Sequence, residues 1–145
     1  MGREMMFAVD IDAEPAAVFE ALATEAGLES FWTSNCDAVP EVGSVARFGF
    51  GKAPMDLRMR IDALEPDREV VWTCVGDFPY WADTTIRWRL EPNPEGPGTR
   101  LVLSHTGWPA DQPEYEYATV SFTWARIVER LREVLASGRP DPYLG

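Results

Sequence analysis

The clearest pattern along the chain is a strict alternation of apolar and charged residues. Charged residues alternate with Met55, Leu57, Met59, Ile61 and Ala63, and this period of two predicts a strand with one buried face. Further alternating or β-branched runs predict strands at 7–12, 44–50, 69–75, 84–90 and 99–106. Turns rich in proline and glycine separate most of these runs, so we expect antiparallel hairpins.

Two short helices are predicted between the first strand and the rest of the sheet. Pro15 suits the first turn of a helix, where its missing N–H costs nothing. Apolar residues then follow at helical spacing as far as Gly27, which is expected to end the first helix. A second helical turn is expected over residues 28–32.

A long helix is predicted at the other end of the chain, over residues 114–136. Gly138 and Pro140 stand where the residues that terminate a helix belong. Apolar residues recur every three or four positions and form a wide stripe: Tyr117, Val120, Trp124, Ile127, Leu131 and Val134. Such a stripe must lie against the sheet, and the predicted fold is a single α+β domain over residues 1–145.

Composition and charge narrow the classes of partner. The 145 residues are 46% hydrophobic, which is typical of one globular domain. Lys and Arg number 13 against 24 Asp and Glu, a net charge of −11. This charge argues against nucleic acid and anionic membranes as partners, because both require a basic surface. Cys36 and Cys74 lack metal-binding or redox spacing, and no apolar run suits a leader or a membrane span, so we expect a cytoplasmic protein with free thiols.

Four short motifs, in this order and spacing, resemble those of the START-like (SRPBCC, Bet v-like) superfamily. They are AEPAAVFEAL at 13–22 followed by Phe31-Trp32, VVW at 70–72, GTRLVLSHTG at 98–107, and Trp124 on the last helix. The resemblance is closest to the bacterial branch related to the activator of the heat-shock-protein-90 ATPase. It differs at one position, because Thr123 precedes Trp124 where many relatives carry glycine.

The resemblance implies a helix-grip fold. In this fold a curved antiparallel sheet of six to seven strands wraps around the long C-terminal helix and leaves an elongated apolar cavity. The resemblance implies no particular reaction, since the superfamily contains lipid carriers, cyclases and co-chaperones.

His105 is the only histidine and the one candidate catalytic residue. A single histidine excludes sites built from several histidines, and we expect neither a metal nor a cofactor. Its position in the strand places it on the same face as Leu101 and Leu103, the concave face. Two interpretations stay open: a polar or acid–base group in the cavity, or a histidine that is hydrogen-bonded within the core.

Aromatic residues are the main candidates for a ligand site. The predicted ligand-binding residues are Trp32, Met59, Trp72, Trp81, Trp88, Leu103, His105, Tyr117 and Trp124. For each ring, core packing is the competing interpretation. We expect Trp88 to line the cavity, so that its loss weakens ligand binding more than stability, and Trp124 to do the reverse. The alternation leaves the faces of Trp72 and Arg47 undecided.

The convex face of the sheet is predicted to be exposed to solvent and charged. Arg58 and Arg60, together with Arg87 and Arg89, face away from the apolar residues of their strands. Cross-strand ion pairs with the nearby carboxylates are expected: Asp56, Asp62 and Asp83.

Three functional hypotheses follow from these observations. The first is the binding of a small hydrophobic or aromatic molecule in the internal cavity. The second is a cyclase, dehydratase or hydrolase that acts on a polyketide-like or aromatic substrate, with His105 moving protons. The third is a co-chaperone-like module whose acidic surface docks a basic partner. A homodimer is compatible with all three.

Overall fold

Three helices and a seven-stranded sheet form the part of the chain that the computed structural model describes, residues 3–51, 53 and 55–144. The helices are α1 (Pro15–Ala23), α2 (Glu25–Phe31) and α3 (Glu114–Ser137). The strands are β1 (Met5–Ile11), β2 (Cys36–Asp37), β3 (Val45–Phe48), β4 (Leu57–Glu65), β5 (Glu69–Val75), β6 (Thr85–Pro92) and β7 (Thr99–Thr106). This is the predicted helix-grip fold of the α+β class.

The sheet is antiparallel throughout, with the strand order β1-β7-β6-β5-β4-β3-β2. Strands β3 to β7 are joined in sequence as hairpins, whereas β1 pairs with the last strand. This register sets His105 of β7 between Met5 of β1 and Ile86 of β6. The concave face of the sheet therefore carries one polar ring among apolar neighbours.

The alternation along the strands directs one face of the sheet toward α3. In β6, Ile86 and Trp88 are fully buried while Arg87 between them is exposed. The stripe predicted on the last helix faces the concave side, where Trp124 and Leu131 are also buried. The sheet and α3 thus enclose one apolar core.

The convex face carries ion pairs, but only some of them are the predicted ones. Arg60 donates to Asp62, one of the predicted carboxylates, at 2.8 Å, but both residues lie on β4, so this pair is not the cross-strand pair that was expected. Arg87 instead pairs with Glu69 at 3.4 Å. Because β5 and β6 place residues 69–73 opposite 85–89, the carboxylate nearest to Arg87 belongs to the neighbouring strand.

The two short helices meet more closely than the sequence pattern indicates. Helix α1 ends at Ala23, and the Thr24 hydroxyl begins α2 by accepting a hydrogen bond from the Gly27 N–H at 3.0 Å. Gly27 therefore lies inside α2, and the prediction that it ends the first helix is wrong. A Cβ at this position would come within 2.5 Å of the Ala21 Cα, so glycine is needed for the close approach of the helices.

Register decides the two orientations that the sequence left open. Trp72 lies opposite Ile61 and Ile86, and it is buried on the concave face. Arg47 lies opposite Arg58 on the convex face. Its guanidinium donates to Asp37 at 2.7 Å, so it does not reach the interior.

After α3, the chain turns back along the end of α2. Gly138 ends α3 in the left-handed conformation (φ 71°), and its N–H donates to the Val134 carbonyl at 2.8 Å. The following residues are tied down by Arg130, which donates to two of their carbonyls, and by the Leu144 N–H, which donates to the Trp32 carbonyl at 2.7 Å. We call residues 138–144 the C-terminal segment.

Candidate ligand-binding cavity

A cavity of about 520 Å³ lies between the N-terminal half of α3 and the loops at one end of the sheet. Its wall is formed by α3, the end of α2, the C-terminal segment and the loops that follow β3 and β5. Ligand pockets in proteins typically measure about 300–1,000 Å³. The cavity is therefore large enough for a small organic molecule.

Helix α3 presents one face to the cavity because the lining residues recur at helical spacing. Glu116, Val120, Trp124 and Ile127 stand three or four positions apart, which places them along one side of the helix. Trp124 and Ile127 are buried at the inner end, while Glu116 and Val120 are half-buried nearer the start of the helix. The cavity thus becomes more polar toward the N-terminus of α3.

The loop of residues 77–83, between β5 and β6, supplies an aromatic wall, and we call it the aromatic loop. Phe78 and Trp81 meet edge to face at a centroid distance of 5.8 Å. The backbone N–H of Trp81 donates to the Phe78 carbonyl at 3.1 Å, which closes a tight turn. Tyr80 adopts a positive φ of 68°, which is unusual for an aromatic residue. This turn directs three rings toward the cavity.

His105 lies one layer behind this wall, in a chain of hydrogen bonds. The Trp124 Nε1–H, which can only donate, lies 3.0 Å from His105 Nδ1, so Nδ1 is the acceptor. Nε2 therefore carries the proton and donates to the Thr84 hydroxyl at 2.9 Å. That hydroxyl donates in turn to the Trp81 carbonyl at 2.6 Å. The neutral ring of His105 ties β7 to α3 and to the aromatic loop.

Burial sets the protonation state of His105. Its side chain is fully buried, and the rings packed around it belong to Trp81, Trp108 and Trp124. Burial lowers the pKa of His105 from 6.5 to about 3, because no compensating charge stabilises the imidazolium. A ring with both nitrogens occupied and no access to the cavity has no free position at which to exchange protons with a ligand.

Comparison with known proteins assigns the family. The model of the family described as Activator of Hsp90 ATPase homolog 1-like protein matches residues 12–136. The chain belongs to this family. No curated protein matches the sequence.

Solved structures agree with this assignment. The Aha1 dimer from Colwellia psychrerythraea is 25% identical, with a TM-score of 0.81 over 92% of this chain and 96% of that chain. Protein MLL2253 from Mesorhizobium loti is 22% identical, with a TM-score of 0.78 over 93% and 98% of the two chains. DynU16, a protein in the dynemicin biosynthetic locus, is 23% identical with a TM-score of 0.78, over 97% of this chain and 49% of its own. The predicted branch of the START-like superfamily is thereby confirmed.

Three of the nine predicted ligand-binding residues lie on the cavity wall: Trp32, Trp81 and Trp124. The other six do not line it: Met59, Trp72, Trp88, Leu103, His105 and Tyr117. The expectation that these six residues line the cavity is therefore wrong. Most strand residues that face the concave side lie beneath α3, where the core is filled, and among the described strand residues only Leu57, at the start of β4, borders the cavity.

Tyr117 lies away from the cavity wall for a different reason. It stands on α3 beside the Arg3 guanidinium, which lies 4.8 Å from the centre of its ring, and it meets Trp108 edge to face. The side of α3 that carries Tyr117 is therefore covered by the N-terminal residues and by the chain that follows β7. Its place on the apolar stripe indicated burial but not which space it borders.

Several residues on the wall were missed by the sequence analysis. Phe50 and Phe78 belong to loops, and the polar Glu116 and Thr119 lie on the predicted helix. The run Phe78-Pro-Tyr-Trp81, an aromatic cluster in a turn, was a signal that could have found the aromatic loop. Leu144 also lines the cavity, and no pattern in the sequence indicates that the chain folds back after α3.

Both cysteines are buried and unpaired. Burial raises the pKa of the Cys36 and Cys74 thiols to about 12, so neither forms a thiolate at neutral pH. Across residues 3–51, 53 and 55–144, no three His, Cys, Asp or Glu side chains converge in a way that could hold a metal ion. Within the same described residues, no helix has the length and apolar character needed to cross a membrane.

The buried histidine predicts a specific dependence of stability on pH. In the unfolded chain His105 binds a proton below about pH 6.5, but in the folded chain it does so only near pH 3. Its contribution to stability is therefore complete above pH 6.5 and is lost as the pH falls toward 3. The slope approaches about 1.4 kcal/mol per pH unit inside that window.

NMR provides the direct measurement, because His105 is the only histidine in the chain. Its ring carbon signals should not move between pH 8 and pH 5 in the folded protein. In His105→Gln, the unfolding free energy should fall less steeply between pH 6.5 and pH 5 than in the unmodified chain. A ring that titrates near pH 6.5 would show that the His105 side chain is accessible to water.

Proposed function

We propose that this protein binds a small apolar or aromatic molecule in the cavity between α3 and the aromatic loop. The observation that carries the proposal is the composition of the wall. Rings from four parts of the chain border one space of about 520 Å³, with Trp32, Phe78, Trp81 and Trp124 among them. Transfer of an apolar molecule from water to such a wall is favourable by about 25 cal/mol for each Å² of apolar surface removed from water.

An enzymatic role for His105 lacks support, because the ring is buried behind Trp81 and Trp124 and both nitrogens are already bonded. A general acid or base must come within hydrogen-bonding reach of its substrate. We therefore favour binding over a cyclase, dehydratase or hydrolase that depends on this residue.

Binding can be tested with N-phenyl-1-naphthylamine, a neutral aromatic probe whose fluorescence rises in apolar surroundings. We expect saturable binding with a micromolar dissociation constant. A ligand at 100 times its dissociation constant should raise the unfolding free energy by about 2.7 kcal/mol. Absence of both saturable fluorescence and thermal stabilisation would count against the proposal.

Filling the cavity should weaken this binding. Thr123 lies on the cavity wall, so Thr123→Phe places a ring inside the space that the probe would occupy. We expect the dissociation constant to rise at least about tenfold, equivalent to about 1.4 kcal/mol. Fluorescence titration of the probe measures the change.

Ala118→Phe is the matched control for this substitution. Ala118 is an exposed residue in the same half of α3 and does not line the cavity. This variant should bind the probe like the unmodified chain. Equal effects of the two substitutions would mean that the probe binds elsewhere.

Two predictions about partners rest on the family rather than on the cavity. The family description names Hsp90 ATPase activation, and one solved relative is an Aha1 dimer. For this chain, we infer two possible assemblies, a homodimer and a complex with a chaperone. Sedimentation velocity of the purified protein, alone and with an Hsp90 chaperone, tests both.

A further inference from the structure

One carboxylate interrupts the apolar wall of the cavity. Among the described residues that line it, Glu116 is the only charged side chain. It stands in the first turn of α3 and is half-buried. Thr119 and Thr123 follow it along the same side of the helix, so the polar groups of the wall lie together.

The surroundings of Glu116 distinguish it from the other carboxylate in the same turn. Glu114 forms an ion pair with Arg3 at 3.1 Å. Among the described residues, no lysine or arginine lies within ion-pair distance of Glu116, and no lysine, arginine or histidine lines the cavity. The Thr119 hydroxyl donates to the Tyr115 carbonyl at 2.6 Å and does not turn to the carboxylate. Within these residues, Glu116 has no internal counter-charge.

The rest of the wall suits a cation. The faces of aromatic rings carry negative potential, and a cation near a ring face gains about 0.5–2 kcal/mol. The aromatic loop brings Tyr80 and Trp81 to the same cavity as Glu116. Trp124 lines the inner end of this cavity from α3. A net charge of −11 also raises the local concentration of cations around the protein.

We propose that the molecule bound in this cavity carries a positive charge, as a protonated amine or a quaternary ammonium attached to an apolar body. The charged group lies at Glu116, and the apolar body lies against Trp124 and the aromatic loop. This proposal rests on the proposed binding function and names the class of ligand. An anionic ligand of the same size would bring its charge to Glu116, the one carboxylate among the described residues of the wall, and would be repelled.

Three probes of one shape and different charge test the proposal. They are 1-naphthylmethylamine, which is a cation at pH 7, 1-naphthylmethanol, which is neutral, and 1-naphthoate, which is an anion. Dissociation constants from NMR titration of the backbone amides also locate the site. We expect the cation to bind about tenfold more tightly than the neutral probe, and the anion to bind most weakly. The preference should shrink as NaCl rises, because Glu116 is partly exposed.

Glu116→Gln removes the charge and keeps the size of the side chain. The ratio of the two dissociation constants, neutral over cation, should fall from about ten to the smaller preference that the aromatic rings alone provide. Glu114→Gln is the matched control, because it makes the same change of net charge in the same turn of α3 but away from the cavity wall. In that variant the ratio should stay close to its original value.

The outcomes separate this proposal from the binding function. Binding of all three probes at the cavity with equal constants would overturn the preference for a cation and leave the binding function intact. The same holds if Glu114→Gln and Glu116→Gln reduce the ratio equally, since the effect would then come from net charge alone. Failure of every probe, and of N-phenyl-1-naphthylamine, to shift the cavity amides would overturn both.

Discussion

Truncation of Trp124 to alanine is expected to lower the free energy of unfolding by about 3–5 kcal/mol. The side chain is 1% exposed. It packs against Trp32 at 5.2 Å and Trp88 at 5.4 Å between ring centres, and its N–H donates to His105. The loss would remove contacts between α2, α3 and the sheet and would leave a buried acceptor without its donor.

Urea denaturation followed by circular dichroism measures this change. Tyr115→Ala is a suitable control, because it removes an aromatic ring from the same helix at a position that is 70% exposed. The control should change the unfolding free energy by no more than about 0.5 kcal/mol. A loss for Trp124→Ala as small as that of the control would mean that α3 is not held to the sheet through this ring.

Trp88→Ala is expected to destabilise the protein by a similar amount, about 3–5 kcal/mol. Trp88 is fully buried and meets Trp72 and Trp124 edge to face, at 5.6 and 5.4 Å between ring centres. It does not line the cavity. The sequence-based expectation that its loss affects ligand binding more than stability is therefore reversed.

Replacement of each tryptophan by phenylalanine separates packing from hydrogen bonding. Both changes remove the same atoms from a buried site. The Trp124 Nε1–H donates to His105, whereas the Trp88 Nε1–H has no hydrogen-bond partner among the described residues. Trp124→Phe should therefore cost about 1–3 kcal/mol more than Trp88→Phe. Equal losses in urea denaturation would show that the bond to His105 contributes nothing to stability.

Trp124 belongs to both the core and the cavity, so stability and ligand binding are linked at this residue. Its ring lines the cavity, while its N–H holds the buried histidine. A bound molecule that contacts Trp124 would reinforce the same contacts that hold α3 to the sheet. Ligand binding and resistance to denaturation should therefore rise together.

The sequence by itself determined six of the seven described strands, the long C-terminal helix and most of the faces that they bury. Local physics decides these features: the period of two in β4, the helical stripe of α3, and the need for a left-handed residue at Gly138. The position of His105 on the concave face also followed from alternation alone, as did the charged convex face with Arg60 and Asp62.

Sequence patterns that act over a few residues could not separate the filled part of the concave face from its open end. Leu57 and Met59 take the same face of β4, yet only Leu57 lines the cavity, because a pattern reports which face a residue takes and not what lies opposite it. The place of Gly27 inside α2 likewise depended on how closely Ala21 of α1 approaches it, which is a contact between helices.

Only the tertiary structure decided where the cavity lies and which groups border it. Contacts between residues far apart in sequence bring Trp32, the aromatic loop, Glu116 and Leu144 to one space. The C-terminal segment reaches that space because the Leu144 N–H pairs with the Trp32 carbonyl, over a hundred residues away in sequence. Backbone groups make that bond, and every residue except proline carries the same backbone donor and acceptor. No pattern of side chains therefore indicates where this bond forms.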